Sequence, residues 1–104
     1  MEKNCIHGLS SDQNNVVEAV FANYPEIEEA ILYGSRAKGT HRNGSDVDLT
    51  LLGENISLTT LLGVLGALDD SSLPYIFDVS IYDKIDNPDL IEHIDRVGVS
   101  VYKR

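Results

Sequence analysis

The chain has 104 residues, 42% hydrophobic and 24% charged, which suits one globular domain with a modest core. Seventeen acidic against eight basic residues give a net charge of −9, which excludes a general nucleic-acid-binding surface, because phosphate backbones bind basic patches. No apolar run approaches the ~20 residues of a membrane span, Met1-Glu2-Lys3-Asn4-Cys5 lacks the apolar segment of a signal peptide, and the single Cys5 cannot form an internal disulfide, so the expected location is the cytoplasm.

A single domain is expected over 1–104, with residues 1–9 poorly ordered because they show no period. Cys5 and His7 in that segment are two isolated ligands, too few for a metal site. Ser10 or Ser11 caps a first helix, with Asp12 in its first turn and Val16, Val17, Val20, Phe21 and Tyr24 at helical spacing before Pro25. Glu26, Glu28 and Glu29 read as a solvated lead-in to the strand Ala30-Ile31-Leu32-Tyr33. Gly34 lets the backbone leave that strand close to a ligand, and Ser35 fits the cap of a short turn-helix carrying Arg36, Ala37 and Lys38. Asn43-Gly44 carries turn chemistry ahead of Ser45.

The next run is Asp46-Val47-Asp48-Leu49-Thr50-Leu51-Leu52. Its period of two puts Asp46 and Asp48 on one face and Val47, Leu49 and Leu51 on the other. Ser57 caps a helix with a stripe of Leu58, Leu61, Leu62, Leu65 and Leu68, read as core. Asp69-Asp70-Ser71-Ser72 is a polar loop. Leu73-Pro74 restarts an extended chain for Tyr75-Ile76-Phe77-Asp78-Val79-Ser80-Ile81-Tyr82, whose central acid is unusual in a strand. Asn87-Pro88 then caps a last helix with Leu90, Ile91, Ile94 and Val97 buried, ended by Gly98. His93 in that helix reads as an ordinary surface or packing residue, with a general base as the sharper alternative. Val99-Ser100-Val101-Tyr102 adds a short edge strand. The order predicts an α/β (α+β) domain: a small mixed sheet with helices packed against it.

Two groups of residues carry chemistry. Gly34 and Ser35 with the first turn of the following helix favour an anion, and Arg36, Lys38 and Arg42, three of the eight basic residues, gather beside them. For Arg42 a phosphate role and a solvated loop charge are equally open. Asp46 and Asp48 on one face repel unless a cation lies between them, and carboxylate oxygens suit Mg2+ or Mn2+. Asp78 is the candidate third acid, completing a two-metal clamp if its strand lies beside that of Asp46.

Gly34-Ser35, ten residues, then Asp46-x-Asp48, with a later strand aspartate, resembles the nucleotidyltransferase superfamily that includes DNA polymerase β. Gly34-Ser35-Arg36-Ala37-x-Gly39 and Ser45-Asp46-x-Asp48-Leu49 are similar to its minimal branch, the MNT or MntA-like antitoxins, over nearly the whole chain. The resemblance implies the polymerase β palm-like fold and two Mg2+ ions on Asp46, Asp48 and Asp78, the catalytic acids. It also implies ATP held at Gly34, Ser35, Arg36 and Lys38, and transfer of AMP to a hydroxyl. It further implies a helical HEPN protein as partner, a tyrosine of which is the acceptor in a toxin–antitoxin pair. A small-molecule acceptor, as in the aminoglycoside-modifying relatives, and a non-catalytic module that neutralises its partner are the alternatives. The chain is expected to lack an acceptor-binding domain, which a partner would supply.

Overall fold

The computed structural model describes residues 5–40, 42 and 44–104. Its elements are α1 (Ser11–Ala22), β1 (Glu29–Tyr33), α2 (Ser35–Lys38), β2 (Val47–Leu52), α3 (Leu58–Asp70), β3 (Phe77–Ile81), a 3-10 turn (Tyr82–Lys84), α4 (Pro88–Val97) and β4 (Val99–Lys103). The strands form one mixed sheet in the order β3-β2-β1-β4. β2 runs parallel to β3, while β1 is antiparallel to both β2 and β4. The α/β architecture and the short edge strand at the C-terminal end are therefore as the sequence predicts.

Local chemistry explains the helix ends. Ser10 and Gln13 close a capping box at α1, each side chain taking a backbone N–H of the other. Asn87 Oδ1 accepts the N–H groups of Asp89 (3.0 Å) and Leu90 (3.4 Å) at the start of α4, with Pro88 in the first turn, where a missing N–H costs nothing.

α1 and α3 cover one face of the sheet. Phe21, Leu32, Val47, Leu49, Leu51 and Val64 are fully buried there, joined by Val79 and Ile81 from β3. Ile6 belongs to this core at 2% exposure, and its N–H donates to Asn14 Oδ1 at 2.8 Å. The described part of segment 1–9, expected to be poorly ordered, thus contributes a core side chain.

The leucine stripe of α3 is rotated from its expected line. Thr60, Val64 and Leu68 face the core, whereas Leu58 and Leu62 are exposed. Residues two apart on a helix point to nearly opposite sides, so a core line through 60, 64 and 68 turns 58 and 62 outward. α4 lies on the other face of the sheet, where only its Ile94 is buried and Leu90, Ile91 and Val97 stay half-exposed. It approaches β1 closely: a Cβ at Gly98 would collide with the Ile31 side chain. No helix of the described residues is long and apolar enough to cross a membrane.

Candidate active site

The face of the sheet opposite α1 and α3 carries a row of polar side chains. Tyr33 of β1 pairs with Asp48 of β2, and Asp48 pairs with Asp78 of β3. Residues in register on neighbouring strands point to the same side, so these three share one face, and the next row down is Ile31, Thr50 and Ser80. Ser80 and Thr50 join their hydroxyls at 3.0 Å. β3 does lie beside β2, and in a register that sets Asp78 directly against Asp48.

Asp46 stands one residue before β2 rather than within it, and is exposed. Its charge still reaches the row. The Asp48 carboxyl is held above the ordinary aspartate range, first by burial, then by repulsion from Asp78 and Asp46, against the opposing pull of His93 and Arg36. Burial pushes the Tyr33 hydroxyl up as well, opposed by a hydrogen bond with Ser80 and reinforced by Asp78 and Asp48. The row is a patch of concentrated negative charge, and its oxygen donors are of the type a hard divalent cation takes. Among the described residues no three carboxylate, imidazole or thiol side chains are grouped closely enough to hold a metal ion as they stand. Asp48 and Asp78 share a face, Asp46 acts on it through its field, and the three do not close into a cage.

The turn after β1 brings a second element to this row. Gly34 has φ +76° and ψ −156°, a conformation open essentially to glycine, and a Cβ there would collide with Asp48 Oδ2. The turn is thus pressed against the acid row, which requires glycine twice over. Gly34 itself caps α2, and Ser35 is the first helical residue rather than the cap. Lys38 and Arg42 are exposed close by in sequence. Asn43, half of the expected Asn43-Gly44 turn, and His41 lie outside the described residues.

Arg36 departs from its expected place. It is 2% exposed, and its guanidinium donates to the Ser45 carbonyl from Nε (3.2 Å) and Nη2 (2.8 Å) and to the His7 carbonyl from Nη1 (2.6 Å). It also lies over the Tyr75 ring, 5.3 Å from the centroid. A side chain so enclosed presents no free edge to a phosphate. It ties α2 to the N-terminal segment, to the residue before Asp46 and to the approach to β3.

His93 has a place in the site that its sequence context does not reveal. Its Nε2 accepts the Gly34 N–H at 3.3 Å, and its ring meets the Tyr33 ring edge-on at 6.2 Å. The contact spans 59 residues, so no local spacing announces it. The available signal is helical spacing: His93 completes the i, i+3, i+4, i+7 set with Leu90, Ile94 and Val97, the apolar side of α4.

The family model described as polymerase beta, nucleotidyltransferase matches residues 15–104. No curated protein sequence matches the chain. Among solved structures, a toxin–antitoxin complex with AMP-PNP contains a chain similar at TM-score 0.71 and 18% identity, over 88% of this chain and 73% of that one. A mutant of the toxin–antitoxin MntA-HpeT gives TM-score 0.69 at 19% identity, over 91% and 75%. The complex of tri-AMPylated Shewanella oneidensis HEPN toxin with MNT antitoxin gives TM-score 0.64 at 16% identity, over 88% and 70%. At these identities the likeness is one of fold.

Proposed function

The chain belongs to the polymerase beta nucleotidyltransferase family, and from that premise we propose that it moves AMP from ATP to a tyrosine hydroxyl of a partner HEPN protein, as the antitoxin of a toxin–antitoxin pair. The observation that carries this reading is the placement of Asp48 against Asp78 in one row, with Asp46 two residues before Asp48 and the Gly34 turn in contact with it. The fold neighbours support the partner class, since they come from toxin–antitoxin complexes, one with AMP-PNP and one with an AMPylated HEPN toxin.

Asp46, Asp48 and Asp78 are the residues that would hold Mg2+, and their hard oxygen donors and mutual repulsion fit it. Held there, the ion would supply positive charge against the charge building on the leaving pyrophosphate and would make the acceptor hydroxyl more acidic. Gly34 lets the backbone approach the β- and γ-phosphates closely, Ser35 offers them its backbone N–H and hydroxyl, and exposed Lys38 adds positive charge. Arg36 takes no direct part in holding the phosphates; as a buried cation it favours the ionised form of Asp48, against the larger opposing effects of burial, Asp78 and Asp46. The acceptor oxygen bonds to the α-phosphorus as the bond to the bridging oxygen breaks in line, pyrophosphate leaves, and the hydroxyl proton passes to water.

A second reading is a module that binds and neutralises its partner without transfer. Incubation with α-labelled ATP, Mg2+ and the HEPN protein, followed by intact mass of both chains, separates the two. AMP units on the partner, reduced at least ~1000-fold in rate by Asp48→Asn, are the expected result. A tight complex with no added mass would move the assignment to the binding module.

A further inference from the structure

We propose that His93 is a positioning residue for nucleotide binding, holding the Gly34 peptide in place by accepting its N–H. The inference rests on the transferase reading above and goes beyond the motif residues, because His93 lies on α4, outside the stretch from β1 to β3 that carries them.

Gly34 needs such a support. Glycine is the residue with the most backbone freedom to lose, and Gly34 is held at φ +76° and ψ −156°, pressed against Asp48 on one side. As the cap of α2, glycine has no side chain with which to accept a helix N–H, and its carbonyl accepts the Lys38 N–H at 3.2 Å. His93 Nε2 fixes the other side of the residue, accepting the Gly34 N–H at 3.3 Å. The ring is itself held in place: it packs edge-on against Tyr33 at 6.2 Å and 81°, and its neighbour Ile94 is 1% exposed. His93 therefore orders the turn before nucleotide arrives, so that less ordering remains to be done on binding.

Three proteins separate this role from simple packing: the unmodified chain, His93→Ala, and His93→Gln, whose amide oxygen can take the place of Nε2 as acceptor. Calorimetric titration with Mg2+ and a non-hydrolysable ATP analogue is expected to show about 10-fold weaker binding for His93→Ala, the loss of one hydrogen bond, and no more than about 2-fold for His93→Gln. Exchange of the Gly34 amide, followed by NMR without nucleotide, is expected to be protected in the unmodified chain and His93→Gln and unprotected in His93→Ala. Affinity unchanged in His93→Ala, or lost equally in His93→Gln, would overturn the inference. Should His93→Ala not fold, the Gly34 amide and the affinity of His93→Gln decide: loss of both overturns it. Absence of binding by the unmodified chain would instead overturn the transferase reading, and this inference with it.

Discussion

The entry into β2 and the turn-helix α2 each place two chemically important side chains two residues apart, and they do opposite things with them. Asp46 is exposed and Asp48 faces the open side of the sheet, while Val47 and Leu49, on either side of Asp48, are 0% exposed in the core. In α2, Arg36 is buried at 2% and Lys38 is exposed. The negative charges of this site, Asp48 half-buried and Asp46 and Asp78 exposed, repel one another and make no ion pair among the described residues, so they are open to a counter-ion. One positive charge is locked into the framework, and the other is left in solution. Charge of the same sign, two residues apart, thus serves structure in one case and is available for ligand in the other, and burial with hydrogen-bond commitment is what distinguishes them.

Removing the buried cation is the strongest way to break that contrast. Arg36→Met keeps much of the apolar stem but withdraws the donors that the guanidinium gives to the carbonyls of Ser45 and His7 and removes the contact with Tyr75. The two carbonyls are only part-buried, so each lost donor costs toward the low end of ~1–3 kcal/mol, and with the lost Tyr75 contact a loss of about 2 kcal/mol is expected in urea denaturation. An Arg36→Met protein as stable as the parent, but with weakened nucleotide binding, would return Arg36 to the phosphate role.

The same contrast explains what the sequence made legible. The alternation in 46–52 is long enough, and apolar enough on one face, that the side of Asp48 follows from the period of two. Asp78 is legible for the same reason, once β3 is taken as the neighbour of β2. In α2 there is no period to read: four residues complete one turn, and which basic side chain turns inward depends on Ser45, His7 and Tyr75, which lie 9, 29 and 39 residues away. His93 is hidden by the same physics, since its contact with Gly34 exists only after α4 has packed on β1. The rotation of α3, with Leu58 and Leu62 outward, likewise reflects how a helix with apolar residues on several sides docks, which its composition leaves open.

Lys38 supplies the matching test on the exposed side. Lys38→Ala is expected to leave the stability within about 0.5 kcal/mol of the parent and to weaken ATP binding about 3-fold, with the difference shrinking as salt rises from about 0.05 to about 0.5 M, because an exposed charge is screened. A salt-independent loss would mean that Lys38 is held against the nucleotide in a desolvated contact, and the division between buried and free cation would no longer hold.

The smallest effect bears on the acids and has a definite sign. Asp48 has its folded-state pKa raised, so the fold holds its proton more tightly than the unfolded chain does. The penalty for ionising Asp48 is absent well below about pH 4, where both states are protonated. It sets in as pH rises past the ordinary aspartate value and is complete above the raised one. Asp48→Asn removes the charge at every pH. Without metal, the variant is therefore expected to melt above the parent at about pH 7.5, by about 2–4 °C for half a kcal/mol in a small domain, and the gap should close toward about pH 3. The half-buried position of Asp48 keeps this figure low through solvent screening. Saturating Mg2+ should reverse the order, because a cation that binds the folded acid row stabilises the parent and leaves Asp48→Asn behind. A variant that melts below the parent near neutral pH without metal would show the Asp48 carboxylate to be held by favourable partners rather than strained by Asp78 and Asp46. The row would then be a structural feature of the sheet, with no electrostatic demand for a cation.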